Sequence, residues 1–172
     1  SHAINEILQL AGRVVLLKQG KLVGVGALNE VLTSLEYRKS FGSLRVGAVL
    51  DARVANHEPQ YGLTQLEFKA QCLFLPLQPM AIGQPLRVHI LSSDVSLVVG
   101  RTNAPTSVLN ILAATIIEVR EMDQSSVEVL LDIGAPLVAT ITRKSLASLG
   151  LKPTQPVFAL IKTVALNEEL AE

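Results

Sequence analysis

The sequence is poor in the residue types that most often carry cross-links, metal ions or aromatic stacking. One cysteine, Cys72, is present among 172 residues, which excludes an intramolecular disulfide and a cysteine-cluster metal site. Tryptophan is absent and aromatic residues make up 3% of the chain, so the hydrophobic core must be aliphatic. The 15 basic and 15 acidic residues balance, and they form no basic stripe with interleaved aromatics for a nucleic acid. No apolar run reaches the ~20 residues that a membrane-spanning helix requires.

Aliphatic residues are abundant, and from Gly42 onward they form short runs of high β-propensity. Hydrophobic residues make up 49% of the chain. The runs, most of them separated by proline or glycine, are LRVGAVLDARV, LTQLEFKA, LRVHIL, VSLVV, LAATIIEV, SVEVLLDI, LVATIT and VFALIKTVAL. Many short strands with this punctuation predict a mainly β fold, as a barrel or a sandwich. The stretch SLASLG, residues 145–150, predicts a single helical turn between two strands.

The first forty residues have a different pattern. Residues 1–10, SHAINEILQL, show the apolar spacing of a helix, and two β-rich runs around Lys18-Gln19-Gly20-Lys21 predict a hairpin. A short helix is expected at about residues 28–34. These elements are too few to bury a core of their own, so we interpret residues 1–40 as the tail of a larger α/β domain.

The β-rich part contains a faint internal repeat. GQPLRVHILSSDVSL, residues 83–97, resembles TQPVFALIKTVAL, residues 154–166, if two residues are inserted in the first. Each stretch closes a segment of similar length that opens with a strand. The repeat predicts two similar small barrels, residues 41–99 and 105–167, joined by VGRTNAP.

The opening thirty-two residues, SHAINEILQLAGRVVLLKQGKLVGVGALNEVL, resemble the end of an ABC-transporter ATPase domain. In that family a Ser-His or Thr-His switch precedes a helix, a β-hairpin around Gly-Lys and a second helix. On this match His2 is the switch histidine that contacts the γ-phosphate of ATP.

A second, independent stretch resembles the molybdate-binding Mop/TOBE domain. It comprises TSVLNILAATIIEV, LVATITRKSLASLGL and QPVFALIKTVAL, between residues 106 and 166. The first repeat, ending ILSSDVSL, fits the version of this domain that occurs in transporters. Together the two stretches resemble the C-terminal regulatory region of the ATP-binding subunit of a molybdate ABC transporter. The resemblance implies two tandem OB-like barrels after a short α/β tail.

The resemblance also implies an oxyanion site and names its ligands. A tetrahedral dianion accepts hydrogen bonds from converging N–H and O–H donors and needs a nearby cation. A serine hydroxyl and main-chain N–H groups at a strand start are expected to act with two hydroxyls in TRKS and with the only charge in VFALIKTVAL. An asparagine is expected to brace the first turn. The implied oxyanion-binding residues are Ser107, Val108, Asn110, Thr142, Ser145 and Lys162.

Each of these residues also has an ordinary structural role open to it. Thr106, Ser107 and Asn110 can cap a turn before a strand. Thr142 and Ser145 can cap a helix, and Lys162 can extend from a barrel rim to water. The sequence departs from the family at Leu109, where relatives often carry an arginine in T-S-x-R-N. That departure removes a bidentate cation from the expected site.

The resemblance implies a regulatory function. A molybdate- or tungstate-binding domain of this kind senses the anion in the cytoplasm and inhibits import. It holds the anion between two copies, which implies a homodimer. The intact subunit binds ATP with Mg²⁺ and contacts the membrane permease at the inner face of the cell membrane. This chain contains no G-x-x-x-x-G-K-S/T loop, so we do not expect it to hydrolyse ATP by itself.

Two other interpretations remain open from the sequence. The chain can be the regulatory tail of a sulfate, iron or sugar importer that binds a partner protein instead of an anion. It can also be a free-standing molybdate-storage protein, although this leaves the ATPase-like opening unexplained. His57 and His89 have no neighbours at metal-binding spacing, so no metal site is expected.

Overall fold

The computed structural model describes residues 7–8, 10–41, 47–100 and 105–163, and it is mainly β, as the sequence predicts. None of the helices in these ranges is long and apolar enough to cross a membrane. The predicted helix over residues 1–10 and the switch histidine His2 lie largely outside the described residues, of which Ile7, Leu8 and Leu10 are helical.

The predicted hairpin and the short helix after it are confirmed. Strands β1 (Arg13–Lys18) and β2 (Lys21–Ala27) are antiparallel and are followed by helix α1 (Leu28–Thr33). Gln19 and Gly20 both have positive φ, at 52° and 75°, as a two-residue type I′ turn between twisted strands requires. A 3₁₀ helix (Arg38–Ser40) completes this N-terminal segment, residues 7–41.

The next strands form a four-stranded antiparallel sheet in the order β5-β4-β3-β6. Its strands are β3 (Gly47–Glu58), β4 (Leu63–Phe68), β5 (Gln71–Pro76) and β6 (Pro85–Leu91). A 3₁₀ helix (Pro59–Tyr61) joins β3 to β4. The alternating burial of β3 places Ala48, Leu50 and Ala52 on the inner face of this sheet.

A five-stranded antiparallel sheet follows, in the order β10-β9-β8-β11-β7. Its strands are β7 (Val95–Val98), β8 (Asn110–Glu121), β9 (Ser126–Asp132), β10 (Pro136–Thr142) and β11 (Pro156–Ile161). Helix α2 (Arg143–Leu149) lies between β10 and β11, where one helical turn is predicted. A 3₁₀ helix (Ser92–Asp94) precedes β7.

Strand β7 connects the two halves of the β-rich part. It belongs in sequence to the segment 41–99, but it pairs with β11 of the five-stranded sheet, with Val95 opposite Ile161. One hydrophobic core also runs across both sheets. It includes Leu50, Phe68, Ile90, Leu112, Ile116, Val129 and Ile161. The division into two barrels, ending at residue 99 and beginning again at residue 105, stays a prediction. Strand β7 of the first half pairs with the second half, and one hydrophobic core spans both halves.

The internal repeat of the sequence is also a repeat of the backbone. The ladder of β3 shifts register after Val54, and the ladder of β8 shifts after Ile116. Main-chain hydrogen bonds join Val54 to residues 83 and 84, and the same bonds join Ile116 to residues 154 and 155. Gly83 and Thr154 both have positive φ, at 85° and 69°. Strands β3 and β8 are therefore matching elements of the two halves.

Candidate functional site

Two of the predicted ligands lie at one end of the five-stranded sheet. Strand β8 begins with Asn110 opposite Ile161, the last residue of β11. Ser107 therefore precedes β8 at the edge where Lys162 follows β11. Both residues are exposed, and continuing the register by one pair places Lys162 opposite Leu109. Lys162 forms no ion pair with any residue in the described ranges.

The turn before β8 is closed by Thr106, one of the residues that the sequence allows as a cap of this turn. The hydroxyl oxygen of Thr106 accepts a hydrogen bond of 3.1 Å from the main-chain N–H of Val108. The Val108 N–H, which the prediction assigns to the anion, therefore has an internal partner here. Within the described residues the hydroxyl of Ser107 has no hydrogen-bond partner, so it is available as a donor.

The side chain of Asn110, which is predicted to brace this turn, makes its hydrogen bonds outside the turn. Its side chain is fully buried and bonds to Phe74 of β5, with Oδ1 accepting from the Phe74 N–H at 2.6 Å and Nδ2 donating to the Phe74 oxygen at 2.9 Å. The reason lies in the sheet topology. Strand β5 is an edge strand, and its main chain lacks a ladder partner on the side that faces β8. The amide supplies that partner, so it has little left for an anion.

Gln71 makes the reciprocal contact from β5 to β8. Its Oε1 accepts from the Ala113 N–H at 2.7 Å, and its Nε2 donates to the oxygens of Ala113 and Ile133 at 3.3 and 3.0 Å. Two carboxamides therefore fix the start of β8 to the neighbouring sheet. No pattern in the sequence predicts the contact of Gln71 with Ala113, because the two residues lie 42 positions apart and share no motif.

The other two hydroxyls lie at the N-terminus of helix α2. Thr142 is the N-cap, and its Oγ1 accepts from the Ser145 N–H at 3.0 Å. The two hydroxyl oxygens are 2.9 Å apart, so one of the hydroxyls donates to the other. The remaining hydroxyl proton is free to point outward. The structure thus gives Thr142 the capping role that the sequence allows, with one donor left over.

The two groups of residues are separated by the length of β8. Thr142 pairs with Ser126 in the β9–β10 ladder, and the next β9 residue, Val127, pairs with Glu121 at the far end of β8. Strand β8 has 12 residues. At ~3.3 Å per residue its ends are on the order of 35 Å apart along the strand. Within one chain, the pair Ser107 and Lys162 does not meet the pair Thr142 and Ser145.

A charged loop that the prediction missed borders Thr142. Asp123 in the β8–β9 turn accepts four hydrogen bonds from the hydroxyl and N–H groups of Ser125 and Ser126, at 2.7 to 2.9 Å. The Ser126 hydroxyl, then the Ser125 N–H and the other two donors, hold the pKa of Asp123 well below its ordinary value. The spacing D-x-S-S, which favours an Asx turn, is the signal that could have indicated this loop.

Basic side chains balance these carboxylates. Arg143 donates to Glu121 Oε1 at 3.1 Å, and its main-chain N–H donates to the Ser125 oxygen at 2.9 Å. Lys144 is exposed beside it. The Thr142 end therefore presents hydroxyls and two cations next to two carboxylates, whereas the Ser107 end presents a hydroxyl and one cation.

One groove of the described part contains none of the six predicted residues. It has a volume of about 790 Å³ and lies along the outer side of the middle of β8, lined by Lys69, Ala113, Thr115, Gly134 and Phe158 among others. Its walls are mostly apolar, which suits an oxyanion poorly.

Comparison with known proteins identifies the family. Residues 106–167 match the TOBE domain. The molybdenum import ATP-binding protein ModC 1 of Azotobacter vinelandii is 39% identical over 168 residues, which cover 96% of this chain and 46% of that protein. The ModC proteins of Aromatoleum aromaticum and Rhodospirillum rubrum are 38% and 37% identical over 167 and 179 residues. The chain spans about half the length of these relatives, since it covers 44% to 48% of each.

A solved structure shows the same fold. The cytoplasmic molybdate-binding protein ModG, with molybdate bound, superposes with a TM-score of 0.59 at 19% identity, over 69% of this chain and 92% of that one. This likeness confirms the predicted mainly β, OB-like architecture. The sequence matches confirm the resemblance drawn from residues 1–32 and 106–166. Residues 106–167 are a TOBE domain, and the chain as a whole matches the C-terminal part of ModC molybdenum import ATP-binding proteins.

Proposed function

We propose that this chain is an oxyanion-sensing unit that binds molybdate or tungstate between two copies of itself. The observation that carries the proposal is the placement of the predicted ligands at opposite ends of β8. One end offers the Ser107 hydroxyl and Lys162, and the other offers the Thr142 and Ser145 hydroxyls. Neither set of ligands alone surrounds a tetrahedral dianion. Two chains in antiparallel contact bring the Ser107 end of one chain against the Thr142 end of the other.

The charge at the Ser107 end supports a dianion ligand. Lys162 is a solvent-exposed cation opposite Leu109, the position where relatives often carry an arginine. Lysine acts as a point charge, whereas arginine donates two hydrogen bonds in a fixed planar geometry. With lysine alone the site keeps one countercharge but loses the orientation of the anion that two such hydrogen bonds provide. The buried amide of Asn110 fixes the start of β8, and thereby the position of Ser107, without itself reaching the anion.

The outer face of β8 supports the second copy. Val49 of β3 and Ile111 of β8 occupy matching positions, each five residues before the register shifts at Val54 and Ile116. Val49 is 6% exposed because Leu8, Leu28 and Leu32 of the N-terminal segment pack on it. Ile111 is 41% exposed and Leu109 is 50% exposed. The apolar face of β3 is covered by the N-terminal segment, whereas the matching face of β8 is exposed. Such an exposed apolar face suits contact with a second chain.

The match to ModC proteins supports a place in transport. In this proposal the chain belongs to an ATP-binding subunit that binds ATP with Mg²⁺ and contacts a membrane permease at the cytoplasmic face of the membrane. Occupancy of the oxyanion site favours one arrangement of the two copies, and this arrangement inhibits import. Regulation is tested by ATP hydrolysis of the intact transporter, which saturating molybdate lowers. Unchanged hydrolysis contradicts the regulatory part of the proposal.

Binding is tested on this chain by titration calorimetry with molybdate and tungstate, and with sulfate as the control anion. We expect saturable binding of about one anion per chain. Lys162→Ala weakens it by about tenfold or more, because a hydrogen bond to a charged group contributes ~1.5–3 kcal/mol. Lys152→Ala, a control at another exposed lysine, in the loop between α2 and β11, leaves it unchanged. No binding to a dimeric sample contradicts the proposal and favours a tail that binds a partner protein.

A further inference from the structure

The N-terminal segment, residues 7–41, is attached to the two sheets at three polar contacts. Arg87 donates to the carbonyl oxygens of Leu8 and Ala11, Asn29 bonds to Val49 and Pro136, and Arg38 bonds to Glu128 and Ser92. The segment is the part of the chain that resembles the end of an ATPase domain. Each contact is thus a candidate route between that domain and the β-rich part.

The Arg38 contact differs from the others because it is a buried ion pair. Arg38 Nε donates to Glu128 Oε1 at 2.6 Å, and the two side chains are 10% and 5% exposed. The 3₁₀ helix Arg38–Ser40 is thereby joined to β9. A buried pair of this kind is costly to desolvate, and removal of one partner leaves the other charge buried and uncompensated.

The pair extends by hydrogen bonds to the strand that ends at Thr142. Arg38 Nη2 donates to the Ser92 hydroxyl at 3.1 Å, and the Thr140 hydroxyl donates to the same oxygen at 2.9 Å. Thr140 pairs with Glu128 across the β9–β10 ladder. It lies two residues before Thr142, and alternate residues of a strand share a face. The network therefore connects the N-terminal segment to the N-cap of α2.

The network is incompletely satisfied. Arg38 Nη1 and Glu128 Oε2 are buried and have no hydrogen-bond partner among the described residues. Buried polar atoms are normally paired, and a group left unpaired needs a physical reason. These two atoms are a donor and an acceptor through which the guanidinium and the carboxylate can form a second pairing. Two discrete arrangements are what a coupling element between two sites requires.

We infer that the Arg38–Glu128 pair transmits oxyanion occupancy at Thr142 and Ser145 to the N-terminal segment. The inference rests on the proposed function. An anion that accepts a hydrogen bond from the free hydroxyl of the Thr142–Ser145 pair shifts the end of β10. Thr140 carries this shift to Ser92, and the guanidinium of Arg38 follows. Arg38 and Glu128 are positioning residues in this scheme, and they do not touch the anion.

The test combines calorimetry with hydrogen exchange on this chain, in the presence and absence of molybdate. The double variant Arg38→Met with Glu128→Leu replaces the pair by apolar side chains of similar size. The matched control, Arg120→Met with Glu118→Leu, removes an exposed pair of the same sheet that does not reach the N-terminal segment. Arg38→Lys keeps the positive charge but removes the planar guanidinium group. It takes the place of the double variant if that variant does not fold.

In the unsubstituted chain we expect molybdate to slow amide exchange in residues 28–40 by about fivefold or more, the lower end of ordinary coupling. The double variant and Arg38→Lys bind molybdate within about threefold of the original affinity but lose the slowing of amide exchange. The control variant keeps both the affinity and the slowing. Slowing that persists without the pair overturns the inference and leaves the proposed function intact. Absence of molybdate binding in the unsubstituted chain overturns the proposed function, and the inference with it.

Discussion

The side-chain amide of Asn110 bonds to both main-chain polar atoms of Phe74, so that a single side chain takes the place of a β-bridge. Its Oδ1 accepts from the Phe74 N–H at 2.6 Å and its Nδ2 donates to the Phe74 oxygen at 2.9 Å. With the reciprocal contact of Gln71 on Ala113, it joins the edge of the four-stranded sheet to β8. The position of the Ser107 turn therefore depends on a residue of the other half of the fold.

Replacement of Asn110 by alanine leaves the Phe74 N–H and oxygen without partners. We expect a loss of about 2–4 kcal/mol in the free energy of unfolding, since each unpaired buried group costs ~1–3 kcal/mol. Urea denaturation followed by circular dichroism measures this loss. Asn56→Ala, at an exposed position of β3, is the matched control, and we expect it to change stability by less than about 0.5 kcal/mol. Equal effects of the two substitutions contradict the role given to Asn110.

The buried pair of Arg38 and Glu128 predicts non-additive substitutions. Glu128→Leu alone leaves the Arg38 cation buried and unpaired, and we expect it to destabilise the chain by about 3–5 kcal/mol. Adding Arg38→Met restores most of that stability, because an apolar pair needs no desolvation of charge. Denaturation of both single variants and the double variant forms the cycle. The exposed pair of Arg143 and Glu121 serves as control, with coupling of at most about 1 kcal/mol. Additive losses at residues 38 and 128 rule out a coupled pair.

Asp123 predicts a specific response to acid. Its pKa is lowered in the folded chain by the Ser126 hydroxyl and the other donors of the β8–β9 turn, while the unfolded value is about 3.9. The stabilisation is therefore fully present above about pH 4, and it is lost as the pH falls toward the lowered folded value. Asp123→Asn is expected to melt below the unsubstituted chain at pH 7, with a gap that narrows below about pH 4. Ser126→Ala gives a smaller gap of the same form. A gap that is constant from pH 7 to pH 3 contradicts this account.

Local patterns predicted local elements well. The hairpin of β1 and β2 follows from alternating apolar residues around Gln19 and Gly20, whose positive φ angles fit the turn. Helix α2 follows from the run after Thr142, which caps it. In both places the deciding interactions lie within a few residues of each other, so that the sequence carries them directly.

Long-range placement could not be predicted in this way. VSLVV reads as a strand, but nothing in it specifies pairing with β11 instead of β6. The amide of Asn110 was assigned to the adjacent turn, because its partner Phe74 lies 36 positions away. The distribution of Ser107 and Thr142 to opposite ends of β8 depends on ladder register, which a motif match does not contain.

The apolar outer face of β8 predicts the contact between two copies. Ile111→Asp places a charge in this face without entering the core, so we expect weaker self-association with a monomer fold unchanged by circular dichroism. Sedimentation velocity, with and without molybdate, measures the fraction of dimer. Val25→Asp is the control, on an apolar residue of the hairpin that is 56% exposed, compared with 41% for Ile111. If Val25→Asp dissociates the dimer and Ile111→Asp does not, then the contact lies on the hairpin and not on β8.

Thr142 allows its capping role to be separated from anion binding. Aspartate is as good an N-cap as threonine, so Thr142→Asp is expected to change stability by less than about 0.5 kcal/mol, whereas Thr142→Ala loses ~1 kcal/mol. The new carboxylate repels a dianion at the α2 N-terminus, so Thr142→Asp abolishes molybdate binding by calorimetry. Thr142→Ser, which keeps the hydroxyl, retains both properties. Molybdate binding by Thr142→Asp at the original affinity means that this hydroxyl only caps the helix, and the oxyanion site then reduces to the Ser107 and Lys162 end of β8.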